Sequence, residues 1–116
     1  MPEHHAIDYV ELTVTDLPRA ETFYADAFAW RFTHYGPQYA GIQGPRGGEV
    51  GGLRLDDTAP AGGGPLVLLF SADLDRSVQA VRDAGGTVVT EPYAFPGGRR
   101  FHFADPSGNE LGVWGD

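Results

Sequence analysis

The sequence contains no cysteine, and that single absence removes several possibilities. A disulfide framework, a thiolate metal centre and a cysteine nucleophile are all excluded, so the fold has to be held by packing. No stretch approaches the ~18 consecutive apolar residues of a membrane-spanning helix. The opening MPEHHAIDYV is acidic and histidine-bearing, where a secretory leader would show a basic stretch followed by a long apolar run. The chain therefore reads as soluble, unexported and cytoplasmic. Positive charge is also scarce. Eight basic against sixteen acidic side chains give a formal net charge of -8, which repels phosphate backbones and anionic lipid. Only Arg99 and Arg100 are adjacent, too few for a basic patch, so neither nucleic acid nor a membrane is expected as a partner. Nor is there a phosphate-binding loop, because no lysine follows Gly47-Gly48 or Gly51-Gly52 and no G-x-G-x-x-G opens a helix.

What is present fits one domain: 116 residues with 41% hydrophobic content can bury one core. The seventeen glycines and nine prolines fall in clusters that punctuate short strands. Ile7 to Thr15 alternates, with Tyr9, Glu11 and Thr13 on one side and Val10, Leu12 and Val14 on the other. Asp16 and Pro18 then make an N-terminal cap for a helix whose Leu17, Ala20, Phe23, Tyr24, Ala27 and Phe28 recur at helical spacing. Three strands are expected at 31–35, 38–43 and 49–55. After a Pro/Gly-rich linker over about 58–64, the same order begins again. PLVLLFSA is a strand, Asp73 caps a helix bearing Leu74, Val78 and Val81, and strands follow at 87–90, 99–104 and 109–114. Asp16 to Ala29 and Asp73 to Gly86 are equally spaced, so the chain reads as two related units, about 5–57 and 65–116.

Three segments in order, TDLPRAETFYADAFAW, FSADLDRSVQAVRDAGG and FHFADPSGNELGVW, give the chain a resemblance to the vicinal oxygen chelate family, which includes glyoxalases, bleomycin-resistance proteins and extradiol dioxygenases. The shared features are an aspartate capping each helix, an FY pair in the first helix and a DP-x-GN turn before the last strand. The resemblance implies an α+β fold of two βαβββ modules forming a curved mixed sheet that encloses a cup, a small organic molecule bound inside it, and a homodimer. It also implies a divalent-metal site with ligands on the first and last strand of each module. Those positions fall on Tyr9, about Gly52, Leu66 and Gly112, none of which is a usual ligand. A metal-free cup, with no cofactor, is therefore expected. The alternative is a metal-dependent lyase, isomerase or dioxygenase whose divalent ion sits on displaced ligands such as Glu11, Glu110 and His102. A third possibility is a collapsed cup that serves assembly only.

Strand parity supplies the candidate residues. Glu11 and Glu110 are the expected carboxylates of the cup, available as general bases if burial raises their pKa and otherwise as ion-pair members. Arg54 and Arg99 could hold an anionic group or neutralise those glutamates. Tyr9, Thr13, Leu68, Phe70, Phe101, Phe103 and Trp114, with Tyr39 beside them, could line a stacking surface for a flat ligand, or instead fill the core or a dimer interface. This assignment pairs Ala104 with Asn109 across the last turn, which turns His102 away from the cup. His4, His5 and His34 carry no pattern that marks a site.

Overall fold

The computed structural model describes residues 2–60 and 64–115. The centre of the expected linker, residues 61–63, lies outside them, as do the chain positions 1 and 116. Two runs of strand, helix and three strands follow one another: β1 (Val10–Val14), α1 (Leu17–Phe28), β2 (Phe32–His34), β3 (Tyr39–Gln43) and β4 (Glu49–Leu55), then β5 (Leu68–Ser71), α2 (Leu74–Asp83), β6 (Thr87–Phe95), β7 (Gly98–Ala104) and β8 (Glu110–Gly115). Each run forms its own four-stranded sheet, in the matching orders β1-β4-β3-β2 and β5-β8-β7-β6. In each, the first strand runs parallel to the fourth and the other pairings are antiparallel. Neither helix among the described residues is long and apolar enough to cross a membrane.

The helices start where their aspartates can cap them. Asp16 Oδ1 accepts the Arg19 amide at 3.0 Å and Asp73 Oδ1 accepts that of Arg76 at 3.2 Å, satisfying amides that have no partner inside a helix. Leu17, Ala20, Phe23 and Tyr24 on α1, and Leu74, Val78 and Val81 on α2, are buried. They join Val14, Leu53, Phe101, Phe103, Leu111 and Val113 in one hydrophobic cluster drawn from both runs. Phe103 of the second sheet packs on Phe23 and Phe28 of the first helix, with ring centroids 5.9 and 5.4 Å apart. Full burial of each such side chain contributes roughly 1.5–3 kcal/mol.

A polar brace reinforces this junction. Asp105, only 4% exposed, accepts the Tyr24 hydroxyl at 2.8 Å on Oδ2 and the amides of Ser107 and Asn109 at 2.9 Å each on Oδ1. Asn109 Nδ2 in turn donates to the Thr13 carbonyl at 2.7 Å. The FY pair and the DP-x-GN turn are thus two halves of one device, with the turn of the second run gripping both α1 and β1 of the first. Burial, reinforced by the Asp105 charge, raises the Tyr24 pKa, which keeps the phenol protonated and donating.

The turn also overturns part of the expected site. Asp105 and Asn109 close it through backbone bonds, so the first ladder pair is Ala104 with Glu110, not Ala104 with Asn109. A shift of one residue exchanges the faces of a strand. Phe103 lies opposite Leu111 and Phe101 opposite Val113, both fully buried against the helices, and neither lines the opposite, helix-free face. His102, expected to turn away, pairs with Gly112 on that face. Arg99 is also on the helix side, where its guanidinium meets Asp75 of α2 through two bonds of 3.1 and 3.2 Å. β6 runs five residues beyond the expected Thr90, through Pro92, to Phe95. It is an edge strand and its ladder slips twice, the setting in which a strand tolerates proline.

Candidate functional site

The helix-free faces of the two sheets carry different chemistry. On the first sheet, Tyr9, Glu11, Thr13, Tyr39 and Arg54 come together as strand parity requires, and every polar group finds a partner. The Tyr39 hydroxyl donates to Glu11 Oε2 at 2.8 Å, the Tyr9 hydroxyl to Glu49 Oε2 at 2.9 Å and the Tyr35 hydroxyl to Glu49 Oε1 at 2.7 Å. The hydroxyls of Tyr9 and Tyr39 lie 2.8 Å apart. Arg54 reaches Asp56 at 3.0 Å, Thr13 Oγ1 at 3.0 Å and Glu11 at 3.5 Å. Desolvation by their neighbours and hydrogen bonds to these carboxylates hold the Tyr9 and Tyr39 phenols above their ordinary pKa, and the bond to Glu49 does the same for Tyr35.

Alternation along the strands does not reveal Glu49. The ladder between β3 and β4 slips between Ile42 and Gln43, so that Gln43 pairs with Glu49 and Val50 is the extra residue. That bulge sends Glu49 to the helix-free face. Gly41 and Gly52 make room: a side chain at Gly41 would strike the Glu49 carboxylate, and one at Gly52 would strike the hydroxyls of Tyr39 and Tyr9.

On the second sheet the register places Leu68, Phe70, Glu110, Gly112 and Trp114 on the helix-free face, joined by Arg100 and His102 from β7. Phe70, 66% exposed, meets Trp114 edge-on with ring centroids 5.0 Å apart. Leu66 and Leu68 are also exposed, and this apolar ledge ends at a polar chain. His102 Nδ1 lies 3.0 Å from Glu110 Oε2, and Arg100 Nε donates to His102 Nε2 at 3.2 Å. An acceptor on one side of the ring and a donor on the other assign the neutral tautomer with hydrogen on Nδ1. The Arg100 guanidinium carbon sits 5.7 Å from the ring centres of both Tyr93 and Phe95.

Of two cavities, only the smaller touches expected residues. Glu11 and Glu110 both border a hollow of about 180 Å³ shared with Thr13, Pro60, Pro65 and Asn109, while their carboxylates are bonded to Tyr39 and His102 respectively. The larger cavity, about 680 Å³, is lined by Val10, Leu12, Phe28, Trp30, Val67 and Leu69 among others and by none of the expected site residues. Val10 and Leu12 belong to the helix-facing side of β1, so this space is a gap between the two runs and lies away from both helix-free faces.

The four positions at which the family resemblance implies metal ligands do not fit a divalent ion. Tyr9 is committed to Glu49 and Tyr39, Leu66 carries no donor, and Gly52 and Gly112 have no side chains. The space above Gly52 is taken by the two tyrosine hydroxyls and that above Gly112 by Leu68. Among the described residues no three histidine, cysteine, aspartate or glutamate side chains converge on a point where an ion could sit.

Solved structures share this architecture. A glyoxalase-related enzyme from Fulvimarina pelagi is 19% identical and matches with a TM-score of 0.79 over 97% of this chain and 89% of that one. A glyoxalase/bleomycin resistance protein/dioxygenase family enzyme from Burkholderia phytofirmans PsJN is 17% identical, with a TM-score of 0.78 over 92% and 95%. TnmS3, an antibiotic-binding protein from Streptomyces sp. CB03234, is 24% identical, with a TM-score of 0.69 over 97% of each chain. At such identities the likeness concerns the fold. No curated protein matches the sequence. The model of the Glyoxalase/Bleomycin resistance protein/Dioxygenase superfamily matches residues 6–113, and with that match spanning nearly the whole chain and the two βαβββ runs in place, the protein belongs to this superfamily.

Proposed function

We propose that this chain is a small-molecule-binding member of the superfamily that works without the family's divalent ion, as a cytoplasmic homodimer, and that its ligand rests on the helix-free face of the second sheet. The observation that carries the reading is the ledge formed by the exposed Leu68 and Phe70 with the half-buried Trp114. Large apolar side chains left in water beside a few convergent polar groups are the usual make-up of a ligand site. The similarity to the antibiotic-binding TnmS3 supports a cup used for holding an organic molecule. Sequestration needs nothing more than this surface. A conversion would draw on Glu110 and Glu11, of which Glu110 has the better placement, since it fixes the His102 ring. Pairing of two copies would cover the apolar edge at β5, and sedimentation over a range of concentrations tests it.

Calorimetric titration of chelator-treated protein with a panel of flat aromatic compounds tests the main reading, together with elemental analysis of protein purified without added metal. Binding is expected to persist without metal and to fall at least about tenfold in Trp114→Ala, in line with the loss of a stacking anchor. About one tightly held divalent ion per chain, or binding that appears only when zinc or manganese is restored, overturns it.

A further inference from the structure

Arg100 is the one element of the second face that ligand stacking does not explain. Among the described residues it has no carboxylate partner: its Nε is bonded to His102, its guanidinium plane lies near the rings of Tyr93 and Phe95, and no ion pair involves it. Arg19, Arg31, Arg46 and Arg76 likewise have no ion pair among the described residues, but all four are exposed, whereas Arg100 is half-buried. Arg54, the arginine of the first face, has Asp56 and Glu11 both in reach.

The surroundings of Arg100 fix it in place. β7 pairs it with Trp114, so its fork is carried on the same face as the aromatic ledge and one strand away from it. The imidazole of His102 stands between the guanidinium and the Glu110 carboxylate, taking a hydrogen bond from the former through Nε2 and meeting the latter through Nδ1. Glu110 is thus kept occupied and off the guanidinium. Nε is spent on His102, which leaves the terminal nitrogens, with the planar geometry that matches an oxyanion two bonds at a time. The nearby rings of Tyr93 and Phe95 lower the cost of ordering a long side chain and hold the fork without neutralising it.

Resting on the reading that this face holds a flat organic ligand, we infer that the ligand carries a carboxylate or a comparable planar oxyanion attached to or near its ring system, and that Arg100 binds that group while Phe70 and Trp114 hold the ring. The anion supplies the acidic partner that Arg100 lacks among the described residues.

Two probes of equal shape and different charge decide it: 2-naphthoate and the neutral 2-naphthamide, titrated calorimetrically into the full chain at neutral pH. The naphthoate is expected to bind about tenfold or more tightly than the amide, the scale of a charge-assisted hydrogen bond over a neutral one. Arg100→Gln should bring the naphthoate down to the level of the amide and leave the amide unchanged. Arg100→Lys, which keeps the charge but loses the fork, should fall between, and Arg82→Gln on α2 should alter neither probe. Equal affinity for the two probes in the unaltered chain overturns the inference even if Arg100→Gln fails to fold. In that case, amide binding that is lost in Trp114→Ala leaves the ligand-binding reading standing. Binding of neither probe at millimolar concentration overturns the inference and counts against that reading as well.

Discussion

The two helix-free faces come from runs with the same order of elements and the same strand pairing, yet one is saturated and the other is open. On the first, three tyrosines, two glutamates, an arginine and a threonine satisfy one another around two glycines. On the second, the equivalent strands carry exposed apolar side chains and Arg100, which has no ion pair among the described residues. A surface whose polar groups are already paired gains little by binding anything, because each new bond replaces an old one. The open surface is where a ligand would replace water and nothing else. A duplicated scaffold can thus keep one copy as support and leave the other for recognition.

The sharpest way to break this comparison is to truncate two phenylalanines of the second sheet that differ only in which way they face. Phe103→Ala should cost about 3–5 kcal/mol in urea unfolding, as removal of a buried aromatic does. Phe70→Ala should stay within about 0.5 kcal/mol, as surface substitutions usually do, and show its effect in ligand affinity. Equal losses would mean that Phe70 belongs to the core and that the second face is not an open one.

The saturated face makes a prediction in alkali. Because the Tyr9, Tyr35 and Tyr39 pKa values are raised in the folded chain, the unfolded chain loses those protons first. The stabilisation they provide is complete below the unfolded tyrosine value of about 10 and is lost as pH rises from there towards the folded values. A near-ultraviolet titration should find these phenols ionising late. Glu49→Gln should bring part of that absorbance change to lower pH, since it removes the charge that faces Tyr9 and Tyr35. An unchanged titration in that variant would sink the network as described.

The smallest expected effect is at Asp75, an exposed residue whose carboxyl is held below its usual range by hydrogen bonding to Arg99. Its contribution is present above the unfolded aspartate value of about 3.9 and disappears as pH falls through the folded value. Asp75→Asn should therefore lower the thermal midpoint slightly at neutral pH and not at all in strong acid. A large effect at neutral pH would give Arg99 a weight that a surface ion pair seldom has.

Much of the scaffold was legible from local signals. The capping aspartates, the amphipathic helix stripes and the repeated strand-helix order each act within a few residues, and all reappear in the structure. What could not be read was set by single-residue shifts in register. The last turn moves the β7–β8 pairing by one position, which sent Phe101, Phe103 and Arg99 to the helices and brought Arg100 and His102 to the helix-free face. The bulge at Val50 hid Glu49 in the same way. Parity arguments carry along a strand only until the first irregularity, and both irregularities here sit at the ends of hairpins. Asp105 shows the converse, because its aspartate-proline turn was evident while its bond to Tyr24, eighty-one positions earlier, was not.

That brace also sets the order in which the molecule can be completed. The bond from Asn109 to the Thr13 carbonyl spans ninety-six positions, and Phe103 closes over Phe23 from almost as far away. During synthesis, the aromatic stripe of α1 has no lid until residues past 100 have left the ribosome. The first half is therefore exposed to wrong partners for most of the time the chain is being made, and closure of the final hairpin is what ends that exposure.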